Sequence, residues 1–421
     1  MRNLPNIYSS YCPGTPAMNG VPGSLLEVYK ACLVNGTSKV SFNNIVVANG
    51  VATIKAVVEG QVYFNGSRIT IEGCDEPLLN GTVEVSAHNL TTFSFKTTVA
   101  DGTYGGAIKI NQPGAGWQIL FSGTNEAVFI SGNLDSLGVC LKIIDTNAYQ
   151  ATVEVYENMT SLTAGINRLN WETMYDSGRH YRICKSGYAN AVAQHYWLAA
   201  DNTNCHISID RQDSSTLSVA FENFVGGPIM SWGQFESFAE ADKKNFFITG
   251  LCGYVSGGNG NYNSTYNYNI GWYANSTPTD TYHHMAVLTN SLKGIRGWMK
   301  GYVSAQPAPF LNNSQASGAL VGNRLSYKLK PNFLTTDYLI TGHGPARGTM
   351  IDPLLMGYIK ETKFYNVAAY GALRNFSIDE INGKRYINLP TLNYYTTRSA
   401  SNAPQAQLGL IPMLVGEKWG D

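Results

Sequence analysis

The stretch GAGWQILFSGTNEAVFISGNLDSLGVCLKIIDTNAYQATVEVYE (residues 114–157) decides the fold, because it predicts four consecutive β-strands. Residues 117–121, 127–130, 138–144 and 149–156 are rich in aromatic and β-branched side chains, which favour strands. Turn-forming Ser, Gly, Asn and Asp residues separate them. The last segment alternates apolar and polar positions, as expected of a half-buried antiparallel strand. No residue pattern in this stretch indicates catalysis, so we interpret the centre of the chain as scaffold.

The preceding residues 38–112 predict a small Ig-like β-sandwich. About seven short strand-like segments, residues 61–64 among them, follow one another there at the spacing typical of such domains. Asn-Gly or Asp-Gly pairs fall between several of them, at residues 49–50, 65–66, 80–81 and 101–102. Because Asn, Asp and Gly tolerate positive φ angles, these pairs are strong hairpin signals. Residues 111–116 (NQPGAG) mark a boundary to the central region.

Residues 1–37 predict an extended arm followed by a short helix. Four prolines in residues 1–23 exclude a regular helix or a central strand there, so the arm is expected to cross its own subunit or a neighbour. Ser24 and Glu27 form a capping-box pattern at the start of the helix. Such a short helix is marginal alone, and we expect its apolar face to form an assembly interface. That face comprises Leu25, Leu26, Tyr29 and Leu33.

The predicted fold class is therefore mainly β, with consecutive antiparallel β-sandwich or barrel domains, one short N-terminal helix and an extended N-terminal arm. Residues 113–305 are predicted to form a central β-sandwich domain. Residues 306–421 are predicted to form a C-terminal β domain after a polar crossing segment. The strand-rich pattern continues throughout, and no internal repeat of fixed period is present.

The composition limits the classes of partner. Only 14% of the 421 residues are charged and the formal net charge is zero, whereas nucleic-acid binders carry a basic excess. The first residues show no apolar signal region, and no run long enough to span a membrane occurs. We therefore expect neither a nucleic-acid nor a membrane partner. The seven cysteines lack metal-binding spacing, and are expected to be reduced thiols in the core.

Motifs that would carry chemistry are scarce. The adjacent His283 and His284 point to opposite faces of a strand, so they cannot easily share one metal ion. The segment from Asp201 to Asn204 has oxygen ligands suited to calcium, but a tight turn explains it as well. No carboxylate pair typical of glycosidases is marked out. We therefore predict no catalytic residues, no metal site, no cofactor and no enzyme activity.

A Gly/Asn/Tyr-rich segment at residues 257–273 is the best candidate for binding a ligand or partner. Aromatic side chains on an exposed loop give rigid contact area to a sugar or a protein. A loop packed on its own domain or on a neighbouring subunit is the competing interpretation. The aromatic residues of this segment are Tyr262, Tyr266, Tyr268, Trp272 and Tyr273.

Several segments resemble a family of virion structural proteins from tailed bacteriophages of Gram-negative hosts. The similarity covers LLEVYKACLVNG (25–36), LLNGTVEVSAHNLTTFSFKTTVADGTYGG (78–106), GWQILFSGTNEAVFISG (116–132) and LKIIDTNAYQATVEVYENMT (141–160). It extends over about residues 25–250 in weaker form. The resemblance implies a neck, collar or tail-associated protein present in multiple copies, without catalytic residues. Residues 255–310 depart from the family pattern, being poor in charge and rich in Asn and Tyr.

Residues and resemblance together predict a non-enzymatic virion component, made in the host cytoplasm, at the neck or collar or decorating the head–tail junction. Its expected partners are other virion proteins near the neck, portal or tail, and copies of itself. Symmetric assembly suits a charge-poor β-protein with an extended arm. The alternative is a carbohydrate-binding receptor module of the tail that uses the 257–273 aromatics. A third possibility, an enzyme degrading surface polysaccharide, needs a carboxylate pair in a cleft.

Overall fold

The computed structural model describes residues 3–168, 181–186, 189–209, 229–236, 244–249, 284–291, 294–296, 301–302, 376–381, 384–394 and 407–416. Within these residues the chain is mainly β, with antiparallel sheets and one helical segment of 12 residues near the N-terminus. The predicted fold class is confirmed. The aromatic segment at 257–273 and much of the predicted C-terminal β domain lie outside the described residues.

The N-terminal arm contributes strand β1 (Asn6–Ser9). The helix α1 (Ser24–Tyr29) follows, and its last part continues as a π-helix (Lys30–Asn35) that ends at Gly36. Gly36 has a φ angle of 81°, which glycine adopts without strain. The helix begins within one residue of the start that the capping-box pattern predicts.

Residues 40–111 form a two-sheet sandwich. One sheet has the order β2-β10-β5-β6 and the other β7-β8-β4-β3-β9. A 3₁₀ turn (Pro77–Leu79) precedes β6. The strands are β2 (Val40–Ser41), β3 (Ile45–Ala48), β4 (Val51–Lys55), β5 (Arg68–Cys74), β6 (Gly81–Glu84), β7 (Ala87–His88), β8 (Thr92–Lys96), β9 (Gly102–Tyr104) and β10 (Gly106–Asn111).

Residues 61–64, predicted as a strand, are buried but are not a strand. Val62, Tyr63 and Phe64 have no exposed surface, so the apolar pattern correctly indicates core. Turn hydrogen bonds engage the backbone at both ends of the segment, from the Gln61 N–H to the Val58 carbonyl and from the Ser67 N–H to the Phe64 carbonyl. These turn bonds replace the ladder bonds that a strand would make.

The stretch 114–157 folds as predicted, into consecutive antiparallel strands of one sheet. Its order is β11-β12-β13-β14-β15, and β16 also pairs with β14. The strands are β11 (Gln118–Gly123), β12 (Glu126–Ile130), β13 (Cys140–Ile144), β14 (Gln150–Met159), β15 (Gly165–Arg168) and β16 (Tyr181–Cys184). Alternate residues of β14 are buried, and one face of the sheet packs against the helix.

A further sheet runs β1-β17-β18-β19-β20-β21-β22, with β23 paired to β21. The arm strand β1 therefore lies at its edge, where a strand preceded by Pro5 is tolerated. A smaller sheet has the order β24-β25-β26. The strands are β17 (Tyr196–Ala200), β18 (Cys205–Ile209), β19 (Ile229–Glu236), β20 (Lys244–Thr249), β21 (His284–Ser291), β22 (Gly294–Arg296), β23 (Gly301–Tyr302), β24 (Ile378–Ile381), β25 (Lys384–Tyr394) and β26 (Gln407–Val415).

Two hydrophobic cores lie on either side of β1 and β17. The sandwich core lies between the sheets of residues 40–111 and also receives Ile7 and Trp197. The central core lies between the helix and the β11–β16 sheet and receives Tyr8 and Leu198. Because neighbouring residues of a strand point to opposite faces, β1 and β17 each contribute side chains to both cores.

The described strands near the C-terminus complete the sandwich core. Phe376 stacks on Phe64 with ring centroids 4.0 Å apart. The Trp197 indole N–H donates to the Pro390 carbonyl at 2.6 Å. Part of residues 306–421 therefore shares a core with residues 38–112, while the four-part domain division stays a prediction.

Candidate functional site

The helix face that was predicted to be an assembly interface is buried inside the chain. Leu25, Leu26, Tyr29 and Leu33 have exposed fractions of 0–1% and belong to the central core. Tyr29 packs edge-on against Trp232 and Phe129, with ring centroids 5.2 and 6.3 Å away. No second protein is needed to cover this face, so another surface must carry any assembly contact.

The start of the helix departs from the predicted capping box. Ser24 is not the cap, because its hydroxyl donates to the Asn19 carbonyl at 2.7 Å. Gly23 occupies the cap position with a φ angle of 89° and makes no side-chain cap bond. A distant carboxylate caps the helix instead, since Asp145 Oδ2 accepts the N–H groups of Leu25 and Leu26 at 2.9 and 3.2 Å. A carboxylate there is favoured by the unpaired N–H groups of a helix start.

Asp145 belongs to a buried ion pair. The Lys185 ammonium lies 2.5 Å from Asp145 Oδ1, and neither side chain is exposed. The Lys185 ammonium also donates to the Val21 carbonyl at 2.8 Å. Burial raises the pKa of Asp145 and lowers the pKa of Lys185, while the bond between them acts in the opposite direction on each. The pair joins the arm, the helix and the β11–β16 sheet at one point.

Buried amide side chains attach the arm to the boundary between the sandwich and the central region. The Asn6 side chain donates to the Arg68 carbonyl at 3.2 Å and accepts from the Arg68 N–H at 2.8 Å. The Gln112 amide donates to the Ile7 carbonyl at 2.6 Å. Such bonds satisfy backbone groups that burial would otherwise leave unpaired. The arm therefore lies across its own subunit.

The segment considered for calcium, Asp201 to Asn204, is the buried turn between β17 and β18. Asp201 Oδ1 accepts the backbone N–H of Thr203 at 2.7 Å, the Thr203 hydroxyl at 2.8 Å and the Asn204 N–H at 2.6 Å. The Trp117 indole donates to the Asp201 carbonyl at 2.7 Å. This arrangement is an Asx-type turn, and its contacts support the turn interpretation.

The outer face of the β11–β16 sheet carries two carboxylates, each in an ion pair with its own basic side chain. Glu126 lies 2.8 Å from the Lys142 ammonium, and Glu154 lies 2.7 Å from the Arg168 guanidinium. The Tyr156 hydroxyl donates to Glu154 at 2.9 Å, and burial together with this carboxylate raises the pKa of Tyr156 to about 12. Each carboxylate is occupied by its own cation, an arrangement that differs from the free acid and base of a glycosidase.

Three exposed apolar side chains mark one end of the sandwich. Val57, Val58 and Leu78 have exposed fractions of 62%, 51% and 76%, and we call them the loop-tip surface. β4 and β9 flank β3 and end at the same end of the sheet, because Ile45 of β3 pairs with Tyr104 and the adjacent Val46 pairs with Thr53. The next residue, Gly105, accepts the N–H of Asp75 at 2.9 Å. The loops at 56–60 and 75–80 therefore leave the sandwich at the same end.

The remaining candidate sites are limited. The described part of the chain contains no group of three His, Cys, Asp or Glu residues placed to hold a metal ion. Five described cysteines, Cys12, Cys32, Cys74, Cys140 and Cys205, are buried and free. Burial raises the pKa of Cys12 to about 12, which makes its thiol unreactive. None of the helices among the described residues has the length and apolarity to cross a membrane.

Comparisons with protein families, with curated proteins and with solved structures find no match for this chain.

Sequence reasoning missed Asp145 and Lys185, the most unusual polar pair among the described residues. Asp145 was interpreted as part of a turn, because Asp-Thr-Asn is a common turn sequence. Lys185 follows a short strand and carries no motif. The segment around Lys185 also contains Arg182 and Ser186, so its sequence gives no signal that this lysine is buried or paired.

Proposed function

We propose that this chain is a non-enzymatic structural component of a tailed-phage virion, present in several copies at the neck or collar or decorating the head–tail junction. The resemblance of residues 25–36, 78–106, 116–132 and 141–160 to such proteins supports the proposal. Its proposed partners are other virion proteins near the neck, portal or tail, and further copies of itself. The proposed location is the particle, after synthesis in the host cytoplasm.

One structural observation carries the proposal. Buried polar side chains such as Asp145 make their contacts inside the chain, whereas apolar side chains are exposed at the loop-tip surface. Apolar side chains that remain exposed at one end of a domain are candidate contacts for another protein. The zero net charge also suits short-range contact better than long-range attraction of a charged partner. We therefore assign the partner contact to the loop-tip surface and not to the helix face.

The test is electron cryomicroscopy of intact particles, with the density of this chain located. A ring of copies at the neck with the sandwich end against a neighbouring protein is the expected result. Absence of the chain from purified particles, checked by peptide mass spectrometry, would overturn the assignment. A variant with Val57, Val58 and Leu78 changed to Ser tests the contact itself, because it should fold normally and be incorporated poorly.

The alternative function, a carbohydrate-binding module of the tail, rests on the aromatic segment at 257–273. Its residues Tyr266 and Trp272 lie outside the described residues, so the support for it is the sequence alone. A glycan array with the full chain distinguishes the two functions. Specific binding that is lost in both Tyr266→Ala and Trp272→Ala would favour the receptor module, and density at the tail tip would agree with it.

A further inference from the structure

We propose that Asp145 and Lys185 react with each other to form a side-chain amide bond, so that the chain carries a self-made covalent cross-link. The Lys185 nitrogen lies 2.5 Å from Asp145 Oδ1, and both side chains are wholly buried. This inference does not depend on the proposed function. It assigns a chemical modification to two residues in a region interpreted from sequence as scaffold.

The two reacting groups are held in place by the backbone around them. The Lys185 nitrogen donates to the Val21 carbonyl at 2.8 Å, which fixes its position beside the carboxyl group. The backbone N–H of Lys185 donates to the Tyr149 carbonyl at 2.9 Å. Holding two reactants in contact replaces a bimolecular encounter with an intramolecular one, an advantage that reaches about 10⁵–10⁸ M in effective concentration.

The second oxygen of Asp145 has the donors that an acyl transfer needs. Oδ2 accepts the N–H groups of Leu25 and Leu26 at 2.9 and 3.2 Å. When an amine adds to a carboxyl carbon, negative charge develops on the oxygen that is retained. Two fixed N–H groups at that oxygen stabilise this charge, as in an oxyanion hole.

The reaction is a balanced condensation without any co-reactant. The neutral Lys185 amine attacks the Cγ carbon of the protonated Asp145 carboxyl group and forms the N–C bond. The bond from Cγ to Oδ1 breaks, and Oδ1 leaves as water with its own proton and one from the nitrogen. Oδ2 becomes the amide oxygen and keeps its bonds to Leu25 and Leu26. The remaining amide N–H can donate to the Val21 carbonyl.

Burial makes the reactive protonation states easier to reach. It is the largest cause of the raised pKa of Asp145 and of the lowered pKa of Lys185. Both shifts lower the cost of moving a proton from the Lys185 ammonium to the Asp145 carboxylate, a transfer that the reaction requires. A dry site also favours expulsion of the water that condensation releases. The geometry and these shifts therefore support the same chemistry.

The measurement is the mass of the intact, denatured full chain after purification of the folded protein. We expect a mass lower than the sequence mass by one water molecule. Proteolytic mapping should then find one branched peptide that contains both Asp145 and Lys185. The sequence mass, with the two residues recovered on separate unmodified peptides, would overturn the proposal.

A matched pair of variants locates the bond. Lys185→Arg keeps a cation beside Asp145 but removes the amine, so its mass should equal its sequence mass. Lys142→Arg changes another lysine that is ion-paired and largely buried, 2.8 Å from Glu126, and should keep the water deficit. A deficit that persists in Lys185→Arg would place the lost water elsewhere and refute the assignment. Because the mass of the unaltered chain is decisive by itself, poor folding of a variant does not prevent the test.

Discussion

The arm with its helix and the loop-tip surface both contain apolar side chains, but these side chains are buried in the first region and exposed in the second. Tyr8 and Leu26 are buried in the central core, while Val57 and Leu78 are exposed. In the sequence, the helix was the better candidate for a partner contact, because its apolar positions have a clear helical period. The structure shows that the apolar face of the helix packs against other residues of the same chain.

The difference has a physical origin. A regular apolar face can be covered completely by a regular sheet, and burial of each large side chain stabilises the fold by about 1.5–3 kcal/mol. Single apolar residues at turns, such as Val58 in the loop at 56–60, have no such complementary surface nearby. What remains exposed after folding is therefore a better guide to an external partner than what is most apolar in the sequence.

Deletion of residues 3–12 should have the largest effect on this comparison. The deletion removes β1 from the edge of its sheet and takes Ile7 out of the sandwich core and Tyr8 out of the central core. Each such loss costs about 2–5 kcal/mol, which together approaches the whole stability of a typical domain. We expect loss of soluble, cooperatively folding protein, measured by yield and by circular dichroism on heating.

The control for this deletion is Val21→Ser, a change in the same arm at a side chain that is 44% exposed. It should alter stability by less than about 0.5 kcal/mol. If the shortened chain still unfolds cooperatively near the normal temperature but fails to enter particles, the arm is a docking element and the comparison is wrong.

Asp145→Ala is expected to have the next largest effect. It leaves the Lys185 ammonium buried without its carboxylate and removes the cap of the helix. Breaking a buried pair by removing one partner costs about 3–5 kcal/mol, and the variant also loses the proposed amide cross-link, so the cost should be at least this large. Denaturant unfolding of the variant and the unaltered chain gives the difference.

Glu126→Ala is the matched control for Asp145→Ala. Its partner Lys142 keeps a bond to the Leu162 carbonyl at 2.7 Å, and the pair is partly exposed. The expected cost is about 1 kcal/mol or less. Equal losses of stability in the two variants would show that Asp145 and its contacts stabilise the fold no more than a partly exposed ion pair does.

Acidification should weaken the region around the arm and the sandwich. Burial lowers the pKa of His88 and of His195 to about 4, and the pKa of His206 to about 3. Between about pH 6.5 and these values the unfolded chain binds protons that the folded chain does not. Stability is therefore complete above about pH 6.5 and falls below it, by at most about 1.4 kcal/mol per pH unit for each histidine.

Denaturant unfolding at a series of pH values measures this slope. His88→Gln should make the slope shallower, because one of the three titrating groups is removed. An unchanged slope in that variant would show that other groups, such as carboxylates, cause the loss of stability. The loop-tip surface contains no histidine, so this pH effect reports on the buried regions and not on that surface.

Local patterns predicted those elements whose neighbours are close in sequence. The strands of residues 114–157 were found because each pairs with the next one, so alternation at Ala151, Val153 and Val155 also indicates burial. Asn-Gly turns likewise placed the hairpin at Asn49 and Gly50, where both φ angles are positive. These features depend on only a few neighbouring residues.

Features that depend on distant residues could not be predicted in this way. Ser24 and Glu27 match a capping box, yet Asp145 performs the capping from 120 positions away. Residues 61–64 have the composition of a strand, but they form no strand and lie between two turns. The candidate site was missed for the same reason, because Asp145 and Lys185 are 40 positions apart and neither carries a motif.

The smallest effect on stability, and the sharpest test of the comparison, is expected from changing the loop-tip surface. Replacing Val57, Val58 and Leu78 with Ser removes side chains that are already exposed. The free energy of unfolding should therefore change by less than about 0.5 kcal/mol per residue. Incorporation into particles should nevertheless fall strongly, because the partner loses its apolar contact. Leu134→Ser, at a side chain that is 99% exposed in another loop, should change neither property. Normal incorporation of the triple variant would contradict the loop-tip contact while leaving the internal role of the arm intact. The two regions can therefore be tested separately, one by stability and the other by assembly.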